Sequence, residues 1–261
     1  MPRAQDTFRK FEHDGHRQQG SRRSTSQASS CDGVVFHKGE WMESGDDPLL
    51  SPTVALIEQP SDFEFMPHFH RQNQFQVFVD GSGSLGRQTL APVVVHYAGA
   101  FTGYGPLIAG PQGITYFTLR PVCESGFIPL AQRQEHMIAG PKRHAHSESI
   151  PVATLAEMQT WTRTHEEFVI ALSEDGLGAR LVNLPSQASF ECTHPLGSQG
   201  QFIFVLQGSA LTAGYSLGVW EQMYVTQDEA MPQIIAGEQG VQFLCLSVPI
   251  KAPEYLDRIA P

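Results

Sequence analysis

The sequence predicts an all-β protein: two tandem antiparallel β-barrels behind a disordered N-terminal tail. Three observations carry this expectation. Short apolar stretches punctuated by turn residues run from Val34 onward, two histidines sit at i and i+2, and a long internal repeat recurs at constant spacing. Shifted by 127 positions, Gln74-Phe75 recurs as Gln201-Phe202, Gly81-Ser82 as Gly208-Ser209, Leu90 as Leu217 and Tyr97 as Tyr224. Ile108-Ala109-Gly110 recurs as Ile235-Ala236-Gly237, Gln112-Gly113 as Gln239-Gly240 and Leu119 as Leu246. That makes 12 identities over the 46 positions 74–119 without a gap, so the chain reads as a duplicated unit.

Residues 1–32 are polar and rich in Ser, Gln and Arg, too poor in apolar side chains to offset the entropy of ordering, and are expected to form a flexible tail. The first barrel is expected over 33–123, from Val34-Val35-Phe36, Val54-Ala55-Leu56-Ile57, Phe75–Val79, Val93-Val94-Val95 and Ile114–Leu119. Residues 124–164 break the rhythm, and Ala139-Gly140-Pro141-Lys142-Arg143-His144 reads as linker; Val152–Trp161 fits a short helix or a turn. The second barrel is expected over 165–250, and 251–261 as a C-terminal tail.

With 261 residues the chain can bury a large core, and its 24 Gly and 18 Pro suit many short strands joined by turns. A net charge of −10 offers no electrostatic footprint for nucleic acid, so no nucleic-acid partner is expected. No apolar run approaches the roughly 20 residues that span a bilayer, so no membrane partner is expected either. Cys31, Cys123, Cys192 and Cys245 stand singly, without a C-x-x-C pair, and read as reduced thiols of a cytoplasmic protein.

The chemistry concentrates in Pro67-His68-Phe69-His70-Arg71-Gln72-Asn73-Gln74. Side chains at i and i+2 face the same way only on a strand, so His68 and His70 would share one face. The spacing His-x-His-x3-Gln-x6-Gly resembles the first motif of the cupin superfamily, and with the repeat it resembles the bicupins, which carry two RmlC-like jelly-roll (double-stranded β-helix) barrels. The resemblance implies a metal in the barrel mouth, held by two His, a Glu and a later His. Here Gln74 stands at the Glu position, and no His occurs between Tyr97 and Glu135. The candidate metal ligands are His68, His70, Gln74 and His96, for a divalent Fe, Mn, Ni or Zn. Alternation alone leaves open whether His96 points in or out.

Phe65, Phe69, Phe75, Phe78 and Tyr104 are the candidate pocket lining, Tyr104 standing in a Gly-rich stretch that also fits a tight turn. His144-Ala145-His146, among Pro, Lys, Arg and Ser, is expected to be a solvated loop. In the second barrel only His194 lies near the matching place, with Leu196 and Gln201 beside it, so no metal is expected there. The leading function is a divergent bicupin that binds a small organic ligand in its first barrel. The alternative is a metal-dependent cupin enzyme of dioxygenase, isomerase or cyclase type, and whether there is catalysis stays open. Sheet extension through Phe202–Leu206 would make a homodimer.

Overall fold

The computed structural model describes residues 52–124 and 126–256, together with the strand segments at 10–13, 16–20, 27–31 and 34–42. Strands β1 (Lys10–His13), β2 (His16–Gly20), β3 (Gln27–Cys31) and β4 (Val34–Met42) precede β5 (Thr53–Gln59), β6 (Glu64–Phe65), β7 (His68–Phe69) and β8 (Gln74–Leu85). Next come β9 (Gln88–Leu90), β10 (Val94–Ala98), β11 (Leu107–Arg120), β12 (Ile128–Pro129), helix α1 (Arg133–His136), β13 (His144–His146) and helix α2 (Leu155–Met158). The second half holds β14 (His165–Ile170), β15 (Gly178–Leu184), β16 (Ser189–Glu191), β17 (Ser198–Thr212), β18 (Tyr215–Leu217), β19 (Gln222–Thr226) and β20 (Gln233–Pro249).

The first unit is a nine-stranded antiparallel sheet in the order β13-β10-β8-β11-β5-β4-β3, with β9 on β8 and β6 on β11. The start of β8 pairs with β10 and its end with β9. The end of β11 likewise pairs with β5 and its start with β6. Each long strand therefore serves two layers, and the hydrogen bonding stays open rather than closing a ring. Between the layers lies an apolar core that joins Phe63, Phe65, Leu85 and Leu107 to Ile57, Phe78, Val94, Ile114 and Tyr116.

The second unit repeats this plan: β1-β2-β19-β17-β20-β15-β14, with β18 on β17 and β16 on β20. Strands β9 and β18 are separated by 127 positions at both ends (215 − 88 and 217 − 90), the spacing of the sequence repeat. The repeated glycines have a physical cause. Gly81 and Gly208 both adopt positive φ (77° and 79°), and a Cβ on either would collide with the carbonyl oxygen of Gly113 or Gly240 on the neighbouring strand.

Three boundaries differ from expectation. Strand segments are present within 1–32, with β2 paired to β19 and β3 to β4, while the rest of the expected tail lies outside the described residues. The expected linker divides: residues up to Ile150 belong to the first unit, where β12 pairs with β7 and β13 with β10. From Pro151 the chain joins the second unit, where α2 is closed by a capping box between Thr154 and Glu157. The expected C-terminal tail returns to the first unit as far as it is described, and Tyr255 packs with Phe69, Ala100 and Phe101. Its hydroxyl donates to Pro141 O at 2.6 Å and accepts from Lys142 Nζ at 3.0 Å.

Candidate ligand site in the first unit

Strand β7 is two residues long, and its position is fixed by its neighbours rather than by its own propensity. His68 N donates to Tyr104 O at 3.0 Å, Tyr104 N donates to His68 O at 2.9 Å, and Phe69 pairs with Ile128. This brings the His68 and Tyr104 side chains together. His68 Nδ1 lies 2.7 Å from Met66 O, a pure acceptor, so Nδ1 carries the proton and Nε2 the lone pair. Tyr104, 3.0 Å away, donates its hydroxyl proton to that lone pair. Gln74 Nε2 donates to the Tyr104 oxygen, and Arg120 Nε donates to Gln74 Oε1 at 3.0 Å. The result is a directed chain from Arg120 through Gln74 and Tyr104 to His68.

His70 closes the other side. Its Nδ1 lies 2.8 Å from Gly126 O and 3.5 Å from Glu124 Oε2, and Arg120 Nη2 approaches the ring nitrogens at 3.3 and 3.4 Å. With Nδ1–H directed at Gly126, the Nε2 lone pair faces the guanidinium. Glu124 also accepts from the Arg71 amide at 2.7 Å.

Burial sets the charge states. Desolvation, aided by His70, lowers the His68 pKa from 6.5 to about 3, and His70 is lowered by desolvation and then by Arg120. Burial raises Tyr104, so its phenol stays protonated. Burial alone would raise Glu124, but its hydrogen bond and charge interaction with His70, then Arg120 and the Arg71 amide, hold it below the usual value. Lys251 is lowered by burial to about 8, with Glu124 opposing the shift.

These residues do not fit a divalent cation. Gln74 Oε1 and His70 Nε2 are turned to Arg120, and His68 Nε2 is taken by Tyr104. A dication held ~5 Å from the guanidinium would be repelled by on the order of 6 kcal/mol at an effective dielectric of ~20. Among the described residues, no group of three or more His, Cys, Asp or Glu side chains is placed to hold a metal.

His96 points inward and is fully buried: its Nδ1 lies 2.7 Å from Gln76 Oε1, and its ring is 5.2 Å from that of Tyr104. It is also the cross-strand partner of His146, so His144-Ala145-His146 forms an edge strand and not the expected loop. The His96 and His146 rings stack at 4.5 Å, and His96 Nε2 lies 3.3 Å from His144 Nδ1. His96 joins the polar interior, and among the described residues it is not part of a group of three or more His, Cys, Asp or Glu side chains placed to hold a metal.

No family model matches the chain, and no curated protein matches it. Solved structures do. One, from Nostoc punctiforme and provisionally described as a dioxygenase, superposes with a TM-score of 0.58 at 10% identity over 100% of this chain and 88% of its own. Oxalate decarboxylase from Lactobacillus farciminis, in a formate complex, gives 0.54 at 9% identity over 87% and 85%. Oxalate decarboxylase from Bacillus subtilis, in a structure concerned with its Mn(II) centres, gives 0.53 at 10% over 87% and 76%. The fold is that of the cupins. A transition metal is thus known in a protein of this cupin fold, while the interior described above is arranged around a guanidinium.

Of the five expected pocket residues, Phe65, Phe78 and Tyr104 belong to the core cluster of the first unit. Phe69 and Phe75 do not. Each is adjacent in sequence to an inward residue, so strand alternation sends it to the opposite face: Phe69 packs with Phe101 and Tyr255, and Phe75 against Tyr97 at 5.2 Å. Arg120, Glu124, Gln76 and Lys251 were not foreseen. Gln76 and Arg120 share the inward parity of Gln74 and Tyr116, a signal that was present in the sequence. Glu124 and Lys251 reach the region from outside the barrel pattern, where spacing gives no signal.

The second unit does not repeat the His and Arg side chains of this interior. At the constant offset His68, His70, Gln76, His96, Tyr104 and Arg120 become Pro195, Gly197, Ile203, Met223, Met231 and Ser247. Ile203 and Met223 lie in an apolar cluster against which Met231 packs. His194 Nε2 lies 3.0 Å from Glu229 O, Leu196 is 92% exposed, and Gln201 donates to Thr193 O at 2.7 Å.

Proposed function

We propose that the first unit binds a small organic ligand in its polar interior, with His68, His70 and Gln74 as anchors, and that the second unit is a scaffold. The observation that carries this reading is the contrast between the copies. They share strand order, register and turn glycines, yet one core holds His68, His70, Gln74, Gln76, His96 and Arg120 buried together, while the other has Pro195, Gly197, Ile203 and Met223 at four of those six positions and the uncharged Gln201 and Ser247 at the other two. Burying that many polar groups is costly for folding alone, so a duplicated framework that keeps them in one copy points to a site.

The experiment is a ligand-observed NMR screen of small organic molecules against the full chain. Hits should be lost in a His68→Gln/His70→Gln variant and kept in His194→Ala. Loss in His194→Ala with retention in the double variant would place the site in the wrong unit. The metal-dependent enzyme reading draws its support from the fold alone, through the oxalate decarboxylases and the Nostoc protein. It would require Arg120 and Tyr104 to leave the lone pairs they now occupy.

A further inference from the structure

Arg120 is only 6% exposed, yet it is not paired like other buried arginines. A guanidinium has five N–H donors. Here Nε reaches Gln74 Oε1 and one Nη2 hydrogen reaches the His70 ring. Among the described residues no hydrogen bond completes the other three, none of them is among the fully buried atoms without a partner, and no carboxylate lies within 4 Å of Arg120. A guanidinium so largely enclosed whose outer donors have no protein acceptor is open to an acceptor from a ligand.

The nearby acid does not do so. Glu124 accepts from the Arg71 amide and sits against His70, and it interacts with Arg120 and Lys251 only at longer range. Among these charged groups two buried cations, Arg120 and Lys251, face one carboxylate, a surplus of one positive charge. Aromatic rings stand beside His68: the Phe127 ring lies 4.9 Å from that of His68 and 5.6 Å from that of Phe65.

Resting on the reading of this interior as the ligand site, we propose that the ligand is a small monocarboxylic acid. Its carboxylate is held by the free Nη donors of Arg120, and its apolar body lies toward Phe65 and Phe127. A planar carboxylate matches the guanidinium fork with two parallel N–H···O bonds and brings the single negative charge that the surplus requires. A neutral ligand would leave that charge unpaired. In the second unit the corresponding residue is Ser247, whose hydroxyl donates to Gly176 O at 2.6 Å, so no second copy of the site is expected.

The test is calorimetric titration of the full chain with acetate, butyrate and benzoate, each paired with its neutral amide. At least one acid should bind, with its amide at least about tenfold weaker, a difference of about 1.4 kcal/mol. Arg120→Lys, which keeps the charge but loses the fork, should weaken that acid by a similar factor, and Arg120→Gln should abolish binding. Should Arg120→Gln fail to fold, Arg120→Lys and the acid–amide comparison on the wild type still decide. Absence of binding by all three acids, or equal binding of acid and amide, overturns the proposal. If acid and amide bind alike and both are lost in His68→Gln/His70→Gln, the carboxylate assignment falls while the ligand site stands. Binding unchanged in that variant and in the Arg120 variants removes both.

Discussion

Acidification from about pH 7.5 to about pH 5 should cost about 2 kcal/mol of stability through His68 alone. The folded pKa is about 3 and the ordinary value 6.5, so the native state keeps the ring neutral while the unfolded chain takes up a proton. Stability rises with pH wherever the unfolded state binds more protons. The contribution is therefore fully present above 6.5, falls as pH drops, and levels off near 3. At pH 5 the unfolded histidine is almost wholly protonated, 1.5 units below its pKa of 6.5, and each unit corresponds to about 1.4 kcal/mol. His70 and His96 shift in the same direction and steepen the slope, whereas carboxylates contribute mainly at lower pH. Urea unfolding at the two pH values, read for the first unit, gives the difference, and His68→Gln should shrink it by about 2 kcal/mol. An identical pH dependence in wild type and variant would show that His68 is not buried as a neutral donor–acceptor bridge.

Gly81→Ala should destabilise the first unit by about 2 kcal/mol or more, since it combines positive φ with a clash against Gly113 O; thermal melting reads this, and a neutral result would remove the explanation of the repeated glycines. Tyr255→Ala should cost about 3 kcal/mol, because the ring packs on Phe101 and its hydroxyl ties Lys142 to Pro141; a melt unchanged from wild type would mean that the C-terminal segment is not part of the unit. Gln74→Glu, which places a carboxylate at the position where the cupin motif has its acid, should not create a stoichiometric metal site. The new carboxylate would pair with Arg120, now 3.0 Å away, and tight one-to-one uptake of Mn or Zn by this variant would contradict that.

Much of the architecture was legible because the duplication writes it twice. A gapless offset fixed the matching of β8 with β17 and β11 with β20, and the glycines it preserves are those whose backbone leaves no room for a Cβ. The spacing of His68 and His70 led to the expectation of two imidazoles on one strand face; the strand itself covers only His68–Phe69, and the two rings lie 5.4 Å apart. It could not show what neutralises or occupies them, because Arg120 arrives from 46 residues beyond Gln74 and Glu124 from 53 beyond Arg71. Strand parity was available and would have separated Phe69 and Phe75 from the inward set. The His144-Ala145-His146 segment misled for a different reason: its composition is that of a loop, and only pairing with β10 makes it a strand. For the same reason, removing His68 and His70 together should cost stability as well as binding, since both lie inside a hydrogen-bonded network rather than in solvent.

On the proposed reading the first unit works through its own side chains, with Arg120 supplying the positive charge. Elemental analysis of untagged protein, equilibrated with Mn, Fe, Ni and Zn and then freed of loosely bound ions, tests it most directly. Far less than one equivalent of any of them is expected, unchanged in His68→Gln/His70→Gln. One equivalent of a transition metal in the wild type, lost in that double variant, would contradict it.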